Sequence, residues 1–207
     1  VILLDMVITN KSRLAWISCV GLLIPLIFSL TLWGDLTADT GGQMIGVFDT
    51  LVVDKFAIFF KILILGIVGV VVISSADYMS KLKNLEGEYY GLMLFSASGM
   101  MLLAATTDLI SIYIAMELTA LPLAALAAFL GNARATESGM KFLLLSAMSS
   151  AILLYGMTLT YGFTGTTQLS EILQQLGSSV NGNIPFGSHA MFLGVIMIVA
   201  GFGFKIA

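Results

Sequence analysis

The chain has 207 residues, of which 58% are hydrophobic and only 10% are charged, whereas a soluble domain carries about a quarter charged residues. Its 9 Lys and Arg against 12 Asp and Glu give a net charge of -3, which excludes the basic surface that nucleic-acid binding requires. One cysteine, Cys19, and one histidine, His189, leave no pair for a disulfide or for haem ligation. The composition indicates a membrane protein.

Long apolar runs that carry few charges predict membrane-spanning helices, each of which needs about 20 residues. In chain order the predicted spans are Leu14 to Trp33, Phe56 to Ala76, Tyr89 to Thr107, Leu109 to Leu130, Gly139 to Gly162, and a run that begins near Met191. Continuous apolar runs differ from the every-second-residue pattern of a barrel. The sequence therefore predicts an all-α polytopic transmembrane bundle, which we treat as a single domain over residues 1–207.

The two ends of the chain carry apolar segments that are too short to span a bilayer by themselves or that stop within a run. Val1 to Ile8 is such a segment, and we expect it to be the end of a truncated first helix. Ala207 follows directly on the last apolar run. We expect the chain to be cut there too, within a helix.

The polar connectors between the predicted spans alternate in charge. Counted from Asn10 to Arg13, the segment before the first predicted span, the odd-numbered connectors hold Lys11, Arg13, Lys81, Lys83 and Arg134. The even-numbered connectors hold Asp35, Asp39, Asp49, Asp54, Asp108 and Glu171. Because cytoplasmic loops are enriched in Lys and Arg, the odd connectors are predicted to face the cytoplasm.

Glu117 lies well inside the fourth predicted span, where a charge costs about 2.5 to 3.5 kcal/mol or more. It is either a protonated, hydrogen-bonded side chain that joins helices, or a proton-transfer site; we favour the second interpretation. Pro122 supports it, because a proline cannot donate to the carbonyl four residues earlier, that of Leu118. Asp108 precedes the same helix and is predicted to be its N-cap.

Two lysines accompany Glu117 in the apolar part of the chain. Lys141 follows Glu137 at i,i+4 spacing near a helix start, so that an interfacial ion pair and a relay role are equally compatible with it. Lys205 lies deep in the last run, after Gly201 and Gly203, which predict a broken helix around a buried cation. We assign His189 to the membrane interface, without a functional role.

The run from Asp108 through Glu117 to Leu123, the run from Thr136 through Lys141, and the final Gly-Phe-Gly-Phe-Lys205 together resemble the antiporter-like subunits of respiratory complex I. The stretch Glu117-Leu118 and the spacing of Glu137 to Lys141 are most similar to the N branch of that family. Met116, where the L and M branches typically have Trp, also favours N. The resemblance covers nearly the whole chain and implies that it is the first of two inverted repeats.

The resemblance implies a role in proton pumping driven by electron transfer from NADH to quinone elsewhere in the complex. Glu117 and Lys205 would form a charge-switching pair, with Lys141 passing protons to it. NADH, FMN, iron–sulfur clusters and quinone would be bound by other subunits, since no Gly-rich turn follows a strand in this chain. The expected partners are neighbouring antiporter-like subunits and the lipid bilayer, in a bacterial inner membrane or alternatively an organellar inner or thylakoid membrane.

Two other functions remain open from the sequence. The same architecture and charges are shared by subunits of Mrp-type cation/proton antiporters and of membrane-bound hydrogenases. A structural membrane scaffold, in which the buried charges only pair helices, is the second alternative.

Overall fold

The computed structural model describes residues 1, 12–38, 44–45, 50–79, 85–178 and 189–206. Along these residues the elements are α1 (Ser12–Ala38), β1 (Met44–Ile45), β2 (Val52–Val53), α2 (Lys55–Met79), α3 (Glu86–Leu103), α4 (Leu109–Ala127), α5 (Ala133–Thr164), α6 (Leu169–Ser178) and α7 (His189–Ile206). The strands β1 and β2 form a short antiparallel hairpin. The predicted α-helical bundle is thereby confirmed, whereas residues 2–8 of the expected truncated helix lie outside the described residues.

Each of the six predicted spans corresponds to a helix, and four of these helices are long and apolar enough to cross a membrane by themselves. The four are Trp16–Asp35, Lys55–Met79, Leu109–Ala127 and Ala133–Thr164. The helix α3 differs because Glu86 and Glu88 occupy its first turn. The apolar part of α7, Met191–Ile206, is shorter than a full span. Both helices pack against the four spanning ones, α3 on α4 and α7 on α5.

Local sequence signals fix the ends of the central helices. Asp108 is the N-cap of α4, and its Oδ2 accepts a hydrogen bond of 2.9 Å from the Ser111 amide, as predicted. Asn132 caps α5 in the same way, with its Oδ1 2.8 Å from the Ala135 amide. Gly165 ends α5 in the left-handed conformation at φ 69°, which glycine adopts without a steric penalty.

Three even-numbered connectors meet in one place, which we call the connector junction and define as residues 50–54, 104–108 and 165–169. The Val52 amide donates to the Ala105 carbonyl at 2.7 Å, and the Leu109 and Leu169 amides bond to the carbonyls of Thr167 and Thr107 at 2.9 and 3.0 Å. These bonds tie the start of α2, the α3–α4 corner and the end of α5 together. Their common location agrees with the alternation of loops across the bundle.

Three sequence expectations about helix ends were wrong. The predicted connector Asp77 to Glu88 is shorter, because α2 continues to Met79 and α3 begins at Glu86. The connector that follows Thr164 contains the helix α6, whose Glu171 lies in the favourable first turn. The expected break before Lys205 is absent from the described residues: α7 is continuous across Gly201 and Gly203 to Ile206.

Gly201 has a packing reason instead of a conformational one. A Cβ atom at this position would lie 2.7 Å from the Leu153 Cβ and 2.9 Å from its Cα. The absence of a side chain therefore lets α7 approach the backbone of α5 closely. Gly156 on α5 serves the same contact, since its Cβ would lie 2.7 Å from the Gly194 carbonyl oxygen. Small residues at helix contacts are the usual means of close approach in membranes.

Candidate functional site

Glu117 and Lys205, both predicted as site residues, form an ion pair between α4 and α7. The Lys205 Nζ lies 2.6 Å from the Glu117 Oε1 and donates a hydrogen bond to it. Only 10% of the lysine side chain and 22% of the glutamate side chain are exposed. Charges removed from water in this way are costly unless each satisfies the other, so the contact offsets the burial of both groups.

A third group completes the contact. The Ser150 Oγ on α5 donates a short hydrogen bond to the same oxygen, Oε1 of Glu117, and Ser150 is 4% exposed. Two donors on different helices therefore meet on one carboxylate oxygen. Within the described part of the chain, no hydrogen bond to Oε2 accompanies them.

A cavity of about 220 Å³ opens between α4 and α5 on the connector-junction side of this pair. Tyr113, Thr158, Tyr161 and Thr167 contribute its polar side chains. Tyr113 lies four residues before Glu117, which places the two side chains on the same face of α4, one turn apart. The cavity thus reaches from the connector junction to the turn of α4 that precedes the ion pair.

Lys141, the third predicted site residue, lies apart from the pair. Its Nζ contacts the Glu137 Oε1 at 2.5 Å, and the two side chains are 71% and 64% exposed. Nine residues separate Lys141 from Ser150 along α5, which corresponds to about 13 Å at 1.5 Å per residue. The structure therefore brings Glu117 and Lys205 together and leaves Lys141 on an uncovered face of α5.

Ser150 was not among the predicted site residues, because in sequence it looked like one of several small residues suited to packing. Ser150 can be recognised as a site residue only when it is known to face Glu117. That placement depends on how α4 and α5 cross, which the sequence does not show. Lys61 was also not singled out, although it lies inside the second predicted span and is partly buried on α2. The available signal was a charge inside an apolar run, the same signal that identified Glu117.

The described residues contain no group of three or more His, Cys, Asp or Glu side chains that could hold a metal ion. The site is instead a carboxylate with an ammonium and a hydroxyl donor. Such a set can bind, hold and release a proton, because both the carboxylate and the ammonium are titratable.

Comparison with known proteins identifies a family and several relatives that the chain resembles. Residues 106–207, which include all three predicted site residues, match the family described as NADH:quinone oxidoreductase/Mrp antiporter, TM. The chain is similar to the antiporter-like membrane subunits of this family. A chain of respiratory complex I from Thermus thermophilus, solved with bound aureothin, superimposes on this chain with a TM-score of 0.72. That match has 28% identity and covers 98% of this chain and 40% of the other.

Curated relatives in the family are also similar over the full length of the chain. The NADH-quinone oxidoreductase subunit N of Dehalococcoides mccartyi is 35% identical over 100% of this chain and 42% of its own length. The subunit N of Trichlorobacter lovleyi is 39% identical over 100% of this chain and 41% of its own. The chain therefore spans about two-fifths of the length of these relatives. The resemblance to antiporter-like membrane subunits is confirmed.

Proposed function

We propose that the chain is part of a proton-translocating membrane subunit N of NADH-quinone oxidoreductase. The observation that carries the proposal is the buried contact between Glu117 and Lys205 at 2.6 Å, in a family whose relatives bear that name. NADH oxidation and quinone reduction, with FMN and iron–sulfur clusters, belong to other subunits of the complex. This subunit moves protons through its buried charges.

The ion pair supports this function because its two members control each other's charge. With both groups ionised, attraction in a medium of low polarity stabilises the contact. A proton that reaches the Glu117 carboxylate neutralises it, which removes the attraction between the two charges and releases the ammonium of Lys205, whose flexible four-carbon stem can then turn to another partner. The binding and release of a proton at Glu117 would thus change the position of the Lys205 ammonium.

Lys141 fits the proposal as a residue that delivers protons rather than as part of the switch. Its exposed pair with Glu137 lies near the start of α5, on the side that the charge alternation assigns to the cytoplasm. The neighbouring antiporter-like subunits are the partners that would cover this face. The membrane is proposed to be the bacterial plasma membrane.

Neutral variants in the assembled complex test the proposal. Glu117→Gln and Lys205→Met each keep the approximate size of the side chain and remove its charge. We expect proton pumping in inverted vesicles to fall at least about tenfold, equivalent to ~1.4 kcal/mol of the barrier. Glu171→Gln, at an exposed carboxylate outside the spans, is the matched control and should pump normally.

Assembly is measured alongside pumping, because a purely structural role predicts a different pattern. If both variants pump normally in a fully assembled complex, the proposed function is wrong. If they lower only the amount of complex, with normal pumping per assembled complex, the charges serve as a scaffold. Co-purified subunits that oxidise NADH and reduce quinone separate this function from an Mrp-type antiporter or a membrane-bound hydrogenase.

A further inference from the structure

We propose that Ser150 is a positioning residue for proton transfer, whose hydroxyl holds the Glu117 carboxylate in place while Lys205 binds and leaves. The inference rests on the proposed function and deepens it. It starts from the shared oxygen: the Ser150 Oγ and the Lys205 Nζ both donate to Oε1 of Glu117. Because the two donors come from α5 and α7, the carboxylate on α4 is held from two sides.

Neighbouring hydroxyls of the bundle use a different partner. The Ser149 Oγ donates to the Ser146 carbonyl at 3.0 Å, the Thr119 Oγ1 to the Ala115 carbonyl at 2.9 Å, and the Thr160 Oγ1 to the Gly156 carbonyl at 3.0 Å. Bonds to a carbonyl three or four residues earlier are the ordinary way in which a helix satisfies Ser and Thr. Ser150 instead bonds to a charged side chain 33 residues away.

The two donors differ in how far they can move. Lys205 reaches Glu117 through a long, flexible stem, whereas the hydroxyl of Ser150 is attached directly to its Cβ and can only rotate. The helix that carries Ser150 is also held close to α4. A Cβ atom at Gly139 would lie 2.5 Å from the Ala128 Cβ and 3.1 Å from the Ala124 carbonyl oxygen. The serine is therefore the fixed donor and the lysine the movable one.

A fixed donor matters when the lysine leaves. An acceptor that is buried without any donor costs about 1–3 kcal/mol, and more when it is charged. Ser150 keeps Oε1 bonded in that state, so the carboxylate is not left without a partner between transfers. The same bond restricts the rotation of the carboxyl group while Lys205 is away.

Three variants of the assembled complex test the inference. Ser150→Ala removes the donor and changes the volume little. Ser149→Ala is the matched control, since Ser149 is also buried, at 3% exposed, but bonds only within its own helix. Ser150→Thr restores a hydroxyl. We expect about a tenfold loss of proton pumping for Ser150→Ala, which is the loss of one hydrogen bond to a charged group, with normal pumping for Ser149→Ala and recovery for Ser150→Thr.

Infrared difference spectroscopy supplies a readout that a packing role would not change. The carboxyl band of Glu117 is identified as the band that Glu117→Gln removes. It should shift in Ser150→Ala and keep its position in Ser149→Ala. An unshifted band, or equal pumping losses in the two alanine variants, would overturn the role of Ser150 while leaving the proposed function intact. Normal pumping in Glu117→Gln would instead overturn the proposed function, and a shifted band would still report the hydrogen bond.

Discussion

In the half of the bundle that contains α1, α2 and α3, a methyl group added at Gly66 or Gly69 on α2 would meet no atom within 4 Å, whereas one added at Gly99 on α3 would lie 2.6 Å from the Thr119 Oγ1 of α4. In the half that contains α4, α5 and α7, one added at Gly156 or Gly201 would lie within 3 Å of a neighbouring helix. The first half packs through ordinary apolar side chains such as Leu65. Close backbone approach thus involves α4 and the helices that pack around the Glu117 site, and it is absent at the described glycines of α1 and α2. We attribute these close contacts to the need to fix the positions of the site residues, because apolar side chains alone suffice to hold α1 and α2 in the bundle.

The largest expected effect comes from breaking the close contact itself. Gly201→Ala would place a methyl group against both the side chain and the backbone of Leu153, and overpacking of this kind costs about 1–3 kcal/mol. Since Lys205 lies one turn further along α7, we expect loss of pumping together with a lower thermal unfolding temperature of the complex. Gly203→Ala, whose methyl group meets nothing within 4 Å, is the control, and equal effects at the two positions would contradict the contact.

A moderate effect on proton pumping is expected at Lys141, a charged residue whose side chain is exposed. Lys141→Met breaks the pair with Glu137, but an exposed pair contributes only ~0–1 kcal/mol, so assembly should be normal. Proton delivery should still fall by about two- to fivefold in the pumping assay, less than for Lys205→Met. Glu137→Gln breaks the same pair and keeps the lysine. If it slows pumping as much as Lys141→Met does, the ion pair and not the lysine is what matters.

A smaller effect is expected at the N-cap of α4. Asp108→Ala removes the acceptor for the Ser111 amide and should destabilise the complex by ~1 kcal/mol, measured as a lower unfolding temperature at unchanged pumping per assembled complex. Asp108→Asn retains an acceptor oxygen and should recover most of the stability. Equal losses in both variants would mean that the charge of Asp108, rather than its cap, stabilises this end of the helix.

The smallest effect is expected on the open face of α2. Gly66→Ala should leave both stability and pumping unchanged within about 0.5 kcal/mol, as is usual for substitutions away from packed features. A clear loss in the assembled complex would show that another chain packs against Gly66. The difference in close packing between the two halves would then hold only within this chain. The close contacts of the first half would be made to a partner chain.

Among the described residues, the sequence was sufficient for the order of the six spans, although not for α6, and for two of the three residues that meet at the site. Glu117 and Lys205 could be found because a charge inside an apolar run is expensive and therefore informative. Ser150 could not, since a serine costs little in a helix and its partner depends on how α4 and α5 cross. The break expected before Lys205 was wrong because glycine signals both flexibility and close packing, and only the neighbouring Leu153 distinguishes the two.

The connector junction gives the bundle one end at which the backbones of three connectors are bonded together. Backbone hydrogen bonds clamp α2, α4 and α5 together there, while the described contacts of α7 are mainly with α5 along its length. Lys205 lies in the last turn of α7, 16 residues from its start at His189. Because Gly201 packs this end of α7 against Leu153, the lysine can move through its flexible side chain while the helix stays in place.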